Sequence, residues 1–194
     1  MLQYIKQGIA DPERKKLYIK LLSDTWEIAD QARLLQLDDI STRYYHHVRK
    51  KRTQDLAAYN TNVFMHILES FNDDLAVSGL LSDSNIDAVW KRHEDTQKFM
   101  FLQTWSNSYW TTEDEADAQG MLKSELIPVN DLCLFTSAVM LSLMECFDLR
   151  KLMWLLDAYQ HGNVYVSQRA LIGIVFALHI HTHRLDLYPE IANR

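Results

Sequence analysis

Ala170 to Leu178 reads ALIGIVFAL, nine consecutive residues without a polar side chain. The run lies inside a longer helix-like segment, Asn163 to about His181. A helix that is apolar all round is expected to be buried on every side. The rest of the chain then reads as helices built up against it, and this segment, with 128–147, is expected to be the most buried part.

Length and composition narrow the class. A chain of 194 residues fits one domain over 1–194, and a domain of that size buries roughly 70% of its unfolded surface, so it needs no disulfide or metal to hold a core. Five Gly and three Pro are too few for a turn-rich β architecture. All-α is expected. The net charge of −6 makes the chain a poor general binder of nucleic acid or of anionic membrane. No apolar run approaches the ~18 residues of a membrane span, and no signal region is read at the N-terminus. A cytoplasmic protein is expected. Cys133 and Cys146 fall on one expected helix, roughly 20 Å apart, so both read as buried free thiols.

Asp11-Pro12-Glu13 is a helix start, with an acid, a proline and a second acid at the positive dipole end. Leu17, Leu21, Ile28, Ala32 and Leu35 recur at helical spacing as far as Leu37, and Asp38-Asp39 breaks the pattern. A second stretch runs from Ile40 to Phe71, with Tyr44, Val48, Leu56, Val63 and Ile67 inward and a break expected at Arg52–Gln54 or Tyr59–Thr61. Asn72-Asp73-Asp74 reads as a connection leading to Gly79. Ser84-Asn85-Ile86-Asp87 opens a third region ending near Trp110, and Thr112-Glu113-Asp114-Glu115 opens a short acidic helix ending near Leu126. Pro128 starts the next, to Phe147. Asp148 caps Leu149–Tyr159, with Gly162 as the stop. Tyr188-Pro189-Glu190-Ile191 starts a further helix, read as an array that continues beyond Arg194. Seven to nine helices are expected, amphipathic over 1–110 and more apolar over 111–194.

Within 148–181 the chain shows a helix, a short turn and a second helix in which Val166, Ala170 and Gly173-Ile174 supply one apolar and then small positions. This outline resembles a HEAT repeat, where small residues let hairpins stack closely. The usual turn proline is missing, and Arg169 lies two positions later than the family's common Arg. More narrowly, Cys133 to Ile191 is similar to a segment of large bacterial proteins labelled as tetratricopeptide-repeat proteins, although no 34-residue period occurs here. The resemblance implies an α-α superhelix of stacked hairpins and no chemistry. The partner expected for such a chain is a protein, a peptide or the remainder of a longer chain.

Several stretches carry candidate chemistry. His179 and His183 stand at i, i+4, a spacing a metal can use on a helix, with a frayed helix end as the competing reading. His93-Glu94-Asp95 lacks the His-Asp pair of helical metal phosphohydrolases and reads as a solvated face. Arg43, Arg49, Lys50, Lys51 and Arg52 form the basic cluster, beside His46, His47, Tyr44, Tyr45 and Tyr59. It reads first as a plain polar face, with an acidic protein partner or, less well in so acidic a chain, nucleic acid as the alternatives. Trp105, Tyr109 and Trp110 are read as aromatics of one helix, either core or a recognition patch. None of the common nucleotide, hydrolase, zinc or calcium motifs is present. A scaffolding or interaction module without catalysis or cofactor is expected, with a metal protein using His179 and His183, or nucleic-acid binding through 43–52, as the alternatives.

Overall fold

The structure is a computed structural model describing residues 12–52, 61–79, 83–192 and 194, and every regular element among them is helical. The α-helices are α1 (Pro12–Ile40), α2 (Tyr44–Lys51), α3 (Thr61–Gly79), α4 (Asp83–Ser106) and α5 (Thr112–Lys123), then α6 (Val129–Glu145), α7 (Leu149–Tyr159), α8 (Val164–Ile180) and α9 (Pro189–Ala192). A 3-10 segment, Thr182–Leu187, joins the last two.

Local chemistry sets the boundaries. The Asp148 carboxylate accepts from the Arg150 amide at 2.8 Å and opens α7, and the Asn163 side chain accepts from the Tyr165 amide at 3.0 Å and opens α8. The capping box of α5 sits one residue earlier than expected, with Thr111 and Asp114 as the reciprocal pair. Helix α7 is closed by Gln160, whose amide bonds back to Asp157 and Ala158, and not by Gly162.

Two expected breaks are absent. Asp38-Asp39 stays inside α1, because Asp38 holds His46 and Arg49 and Asp39 holds Lys50 across the turn to α2. Helix α3 runs through Asn72-Asp73-Asp74 to Gly79. Three polar residues fill less than one turn; Asn72 and Asp73 face solvent, while Asp74 pairs with Arg92 of α4. The break expected near 52–61 falls largely on 53–60, outside the described residues, as does Leu56; α2 ends at Lys51. Helix α4 stops at Ser106, so Tyr109 and Trp110 lie beyond it.

The packing forms two rows. Helices α4, α6 and α8 lie side by side with α6 in the middle, and α3, α5 and α7 form a second row, joined to the first where α3 meets α4 and α7 meets α8. Between the rows runs the main core, from Phe64 and Leu68 through Met100, Met121, Phe135 and Leu143 to Trp154, Val166 and Ala177. Trp154 donates its indole N–H to the Ala118 carbonyl at 2.9 Å, tying α7 to α5, and packs edge-on against Phe135 with centroids 5.2 Å apart. Gly173 is the contact point of α8: a Cβ built there would sit 3.1 Å from Met140 Cβ and 3.0 Å from Leu155 Cδ1. A smaller cluster of Leu34, Tyr45 and Cys146 holds α1 and α2 against the end of α6.

The periodicity picks the wrong side in three places. Tyr44 is exposed, and α3 is buried through Phe64, Leu68 and Phe71. Leu17, Leu21, Ile28 and Leu35 of α1 all face outward, while Asp30 and Leu34 are its buried residues. The run at 170–178 is not buried all round. Helix α8 buries Val166, Ala170, Gly173, Ile174 and Ala177, yet Leu171, Ile172, Val175 and Phe176 are 43–58% exposed.

Candidate interaction surfaces

Most polar groups singled out in the sequence are engaged within the protein. Helix α8 ends at Ile180, so His179 and His183 do not share a helix face. His179 is exposed, and His183 stands in the 3-10 segment with its ring 4.8 Å from that of Trp26. His181 between them is buried; its Nε2–H donates to the Leu143 carbonyl at 2.7 Å, and burial holds its pKa below the ordinary histidine value. Among the described residues no three His, Cys, Asp or Glu side chains are grouped to hold a metal ion.

The basic cluster is largely spent on nearby acids. Arg43 pairs with Glu145. Arg49 donates to both oxygens of Asp38, at 3.1 and 2.9 Å, and to Ser108 Oγ at 2.9 Å. Lys50 bonds Asp39 at 2.7 Å, which raises its pKa. Arg52 is partly buried, with its pKa lowered by desolvation, and Lys51 is exposed.

The three aromatics separate. Trp110 belongs to the main core at 6% exposure, where its ring lies 6.1 Å from Trp154 and 6.3 Å from Phe135. Trp105 and Tyr109 are half-buried beside Leu34 and Tyr45. The Tyr109 hydroxyl donates to the Glu27 carbonyl of α1 at 3.3 Å, and burial raises its pKa.

Two buried polar centres escaped sequence reading. Lys151 is completely buried. Its ammonium donates to the Asn107 carbonyl and, at 2.9 Å, to Ser142 Oγ, and lies 4.0 Å from Asp148. Asp148 in turn accepts the Trp110 amide at 2.6 Å. This network orders the loop between α4 and α5 on α6 and α7, and desolvation lowers the Lys151 pKa to about 8. The second centre joins three helices and overturns the solvated-face reading for His93. Only Glu94 and Asp95 are exposed, whereas His93 of α4 is buried, stacks on Phe71 of α3 at 3.7 Å, and places its Nε2 3.2 Å from the buried Asp131 of α6. No spacing rule predicts either centre, because both depend on which helices meet.

One open face is largely apolar. Along the outer side of α8 lie Val164, Tyr165, Leu171, Ile172, Val175, Phe176 and Ile180, interrupted by Gln168, Arg169 and His179, all exposed. A cleft of about 220 Å³ opens elsewhere, among Ser23, Glu27, Tyr109, Asp148, Arg184 and Tyr188. Its charged walls are internally matched. Arg184 bonds Asp30 at 2.6 Å and stacks over Trp26 at 4.5 Å, and the Ser23 and Tyr188 hydroxyls meet at 2.9 Å. No helix among the described residues is long and apolar enough to cross a membrane. Compared with known proteins, the chain matches no family model, no curated protein and no solved structure.

Proposed function

We propose that this chain is a non-catalytic protein-interaction module, a short α-α superhelix of stacked hairpins, which receives an amphipathic helix of a protein partner along the outer side of α8. The observation that carries this reading is the exposed apolar side of α8, which stands at the end of the row α4, α6, α8. A repeat array that terminates in solvent needs a polar outer side on its last helix. Leu171, Ile172, Val175 and Phe176 instead give neighbouring anchors about one turn apart, the pattern that takes a second helix in a groove. The two-row packing is what a stack of hairpins would produce. The internal pairing of Arg43, Arg49 and Lys50 leaves little of the basic cluster for phosphates.

A photo-crosslinking amino acid placed at Val175, in the protein expressed in its own cells, tests the proposal. The expected product is a discrete adduct mapping to a segment with apolar residues at i, i+3, i+4 and i+7, lost in Leu171→Glu/Phe176→Glu. Because those side chains are about half exposed, the double variant is expected to keep its melting temperature within about 3 °C. Adducts no stronger than those from a probe at exposed Lys98 would overturn the reading.

A further inference from the structure

The outward residues of α1 are not scattered. Tyr18, Leu21, Thr25, Ile28, Ala32 and Leu35 follow one another at alternating steps of three and four, the a/d spacing of a coiled-coil seam, and all six are exposed. The side of α1 that faces the body is pinned by other groups. Asp30 binds the buried Arg184, Arg33 donates to the Glu145 carbonyl at 2.6 Å, Ser23 meets Tyr188, and Leu34 enters the smaller core. These contacts fix the rotation of α1 and hold the seam toward solvent over about 25 Å.

The seam is complementary to itself when reversed. Laid antiparallel about a two-fold axis between Trp26 and Glu27, one copy sets Tyr18 against Leu35, Leu21 against Ala32, and Ile28 against Thr25 of the other, and the symmetry repeats each layer. The inner layers each place a large side chain against a small one, which fills space without voids. A parallel pairing would set Thr25 on Thr25 and Ala32 on Ala32, leaving gaps.

Charge gives the same answer. From Pro12 to Trp26 the helix carries four bases (Arg14, Lys15, Lys16, Lys20) and two acids, and from Glu27 to Ile40 one base and four acids (Glu27, Asp30, Asp38, Asp39). That distribution runs against the helix macrodipole, with bases at the positive end and acids at the negative end. An antiparallel neighbour offsets both ends, whereas a parallel one doubles the repulsion. Asp30 is buried against Arg184, and Asp38 and Asp39 hold Arg49 and Lys50 of their own chain, so the acids that α1 presents to a neighbour are Glu27 and Asp39, whose side chain is 71% exposed. We infer that α1 pairs with α1 of a second copy of this chain in an isologous, antiparallel two-helix contact. One helix pair buries less than the ~800 Å² per partner of a standard interface, which makes the dimer reversible and concentration-dependent.

The test is sedimentation of the whole protein over a concentration series, with crosslinking for orientation. Wild type is expected to rise from 22.8 kDa toward twice that mass. Ile28→Glu, at a site 67% exposed, should weaken the dimer at least tenfold without loss of helicity. Phe176→Glu on α8 should leave dimerisation unchanged, which separates this inference from the partner surface proposed above. A short bis-maleimide should join the Leu21→Cys/Ala32→Cys double variant across the dimer and should not join Leu21→Cys alone. A constant mass of 22.8 kDa up to the solubility limit would overturn the inference. So would dimers that survive Ile28→Glu, or ready crosslinking of Leu21→Cys alone, which marks a parallel pair.

Discussion

Lys151 shows what one residue does when a fold encloses it. A lysine on α7 would ordinarily extend into water, but here its ammonium ends among Ser142 Oγ, the Asn107 carbonyl and Asp148. Desolvation outweighs the nearby carboxylate and brings its pKa from 10.5 to about 8. Between pH 8 and 10.5 the unfolded chain therefore binds a proton that the folded protein does not. Stability contributed by this residue rises with pH across that window, by at most about 1.4 kcal/mol per pH unit. The difference in unfolding free energy between wild type and Lys151→Met, followed by denaturant titration, should move in the wild type's favour over the same window. A flat difference would mean that the amine reaches water.

At the scale of elements, two glycines in helix interiors make opposite predictions. In isolation either Gly→Ala change should gain about 0.5–1 kcal/mol from helix propensity. At Gly120 of α5 the new methyl would meet only the flexible Met65 thioether, at 3.4 Å, and Gly120→Ala should raise stability by about that amount. At Gly173 the space is filled by Met140 Cβ, which cannot move without its helix, and by Leu155. Gly173→Val should therefore force α8 from α6 and α7 and cost about 3 kcal/mol, read as a lowered denaturation midpoint with an unchanged slope. An equal response at both sites would contradict the close approach of α8. The same close approach explains the burial of Ala170 and Ala177 beside Gly173, the small-residue side on which the resemblance to a HEAT repeat rests.

For the whole molecule, the attachment of α1 decides which surfaces stay open. This helix buries little apolar area, and its position depends on polar pins, of which Asp30 with Arg184 is the most enclosed. Removing one partner leaves a buried unpaired charge, at a cost of about 3–5 kcal/mol. Asp30→Ala should lower the melting temperature by about 10 °C and speed proteolytic cleavage within α1 ahead of the other helices. A shift under about 2 °C would show that α1 is held by other contacts.

Much of the helical architecture was legible in the sequence. The cap at Asp148 is a local hydrogen bond to an amide two positions away, so a linear reading finds it. Scarce glycine and proline excluded strands for equally local reasons. The candidate site was much less legible. Linear spacing gave His179 and His183 a common helix face, but the helix ended first; it placed Tyr109 and Trp110 on α4, which stopped at Ser106. Above all, the apolar composition of 170–178 set the existence of a helix and the identity of its small-residue side. Whether its other side met a neighbour was decided by packing, since hydrophobicity gives a residue a reason to be buried without supplying the surface that buries it. The sequence by itself determined that the described elements are helical and placed the cap at Asp148. Only the tertiary structure decided that α1 and α8 keep apolar sides open, because burial and charge pairing arise between segments far apart in the chain, as between Asp30 and Arg184.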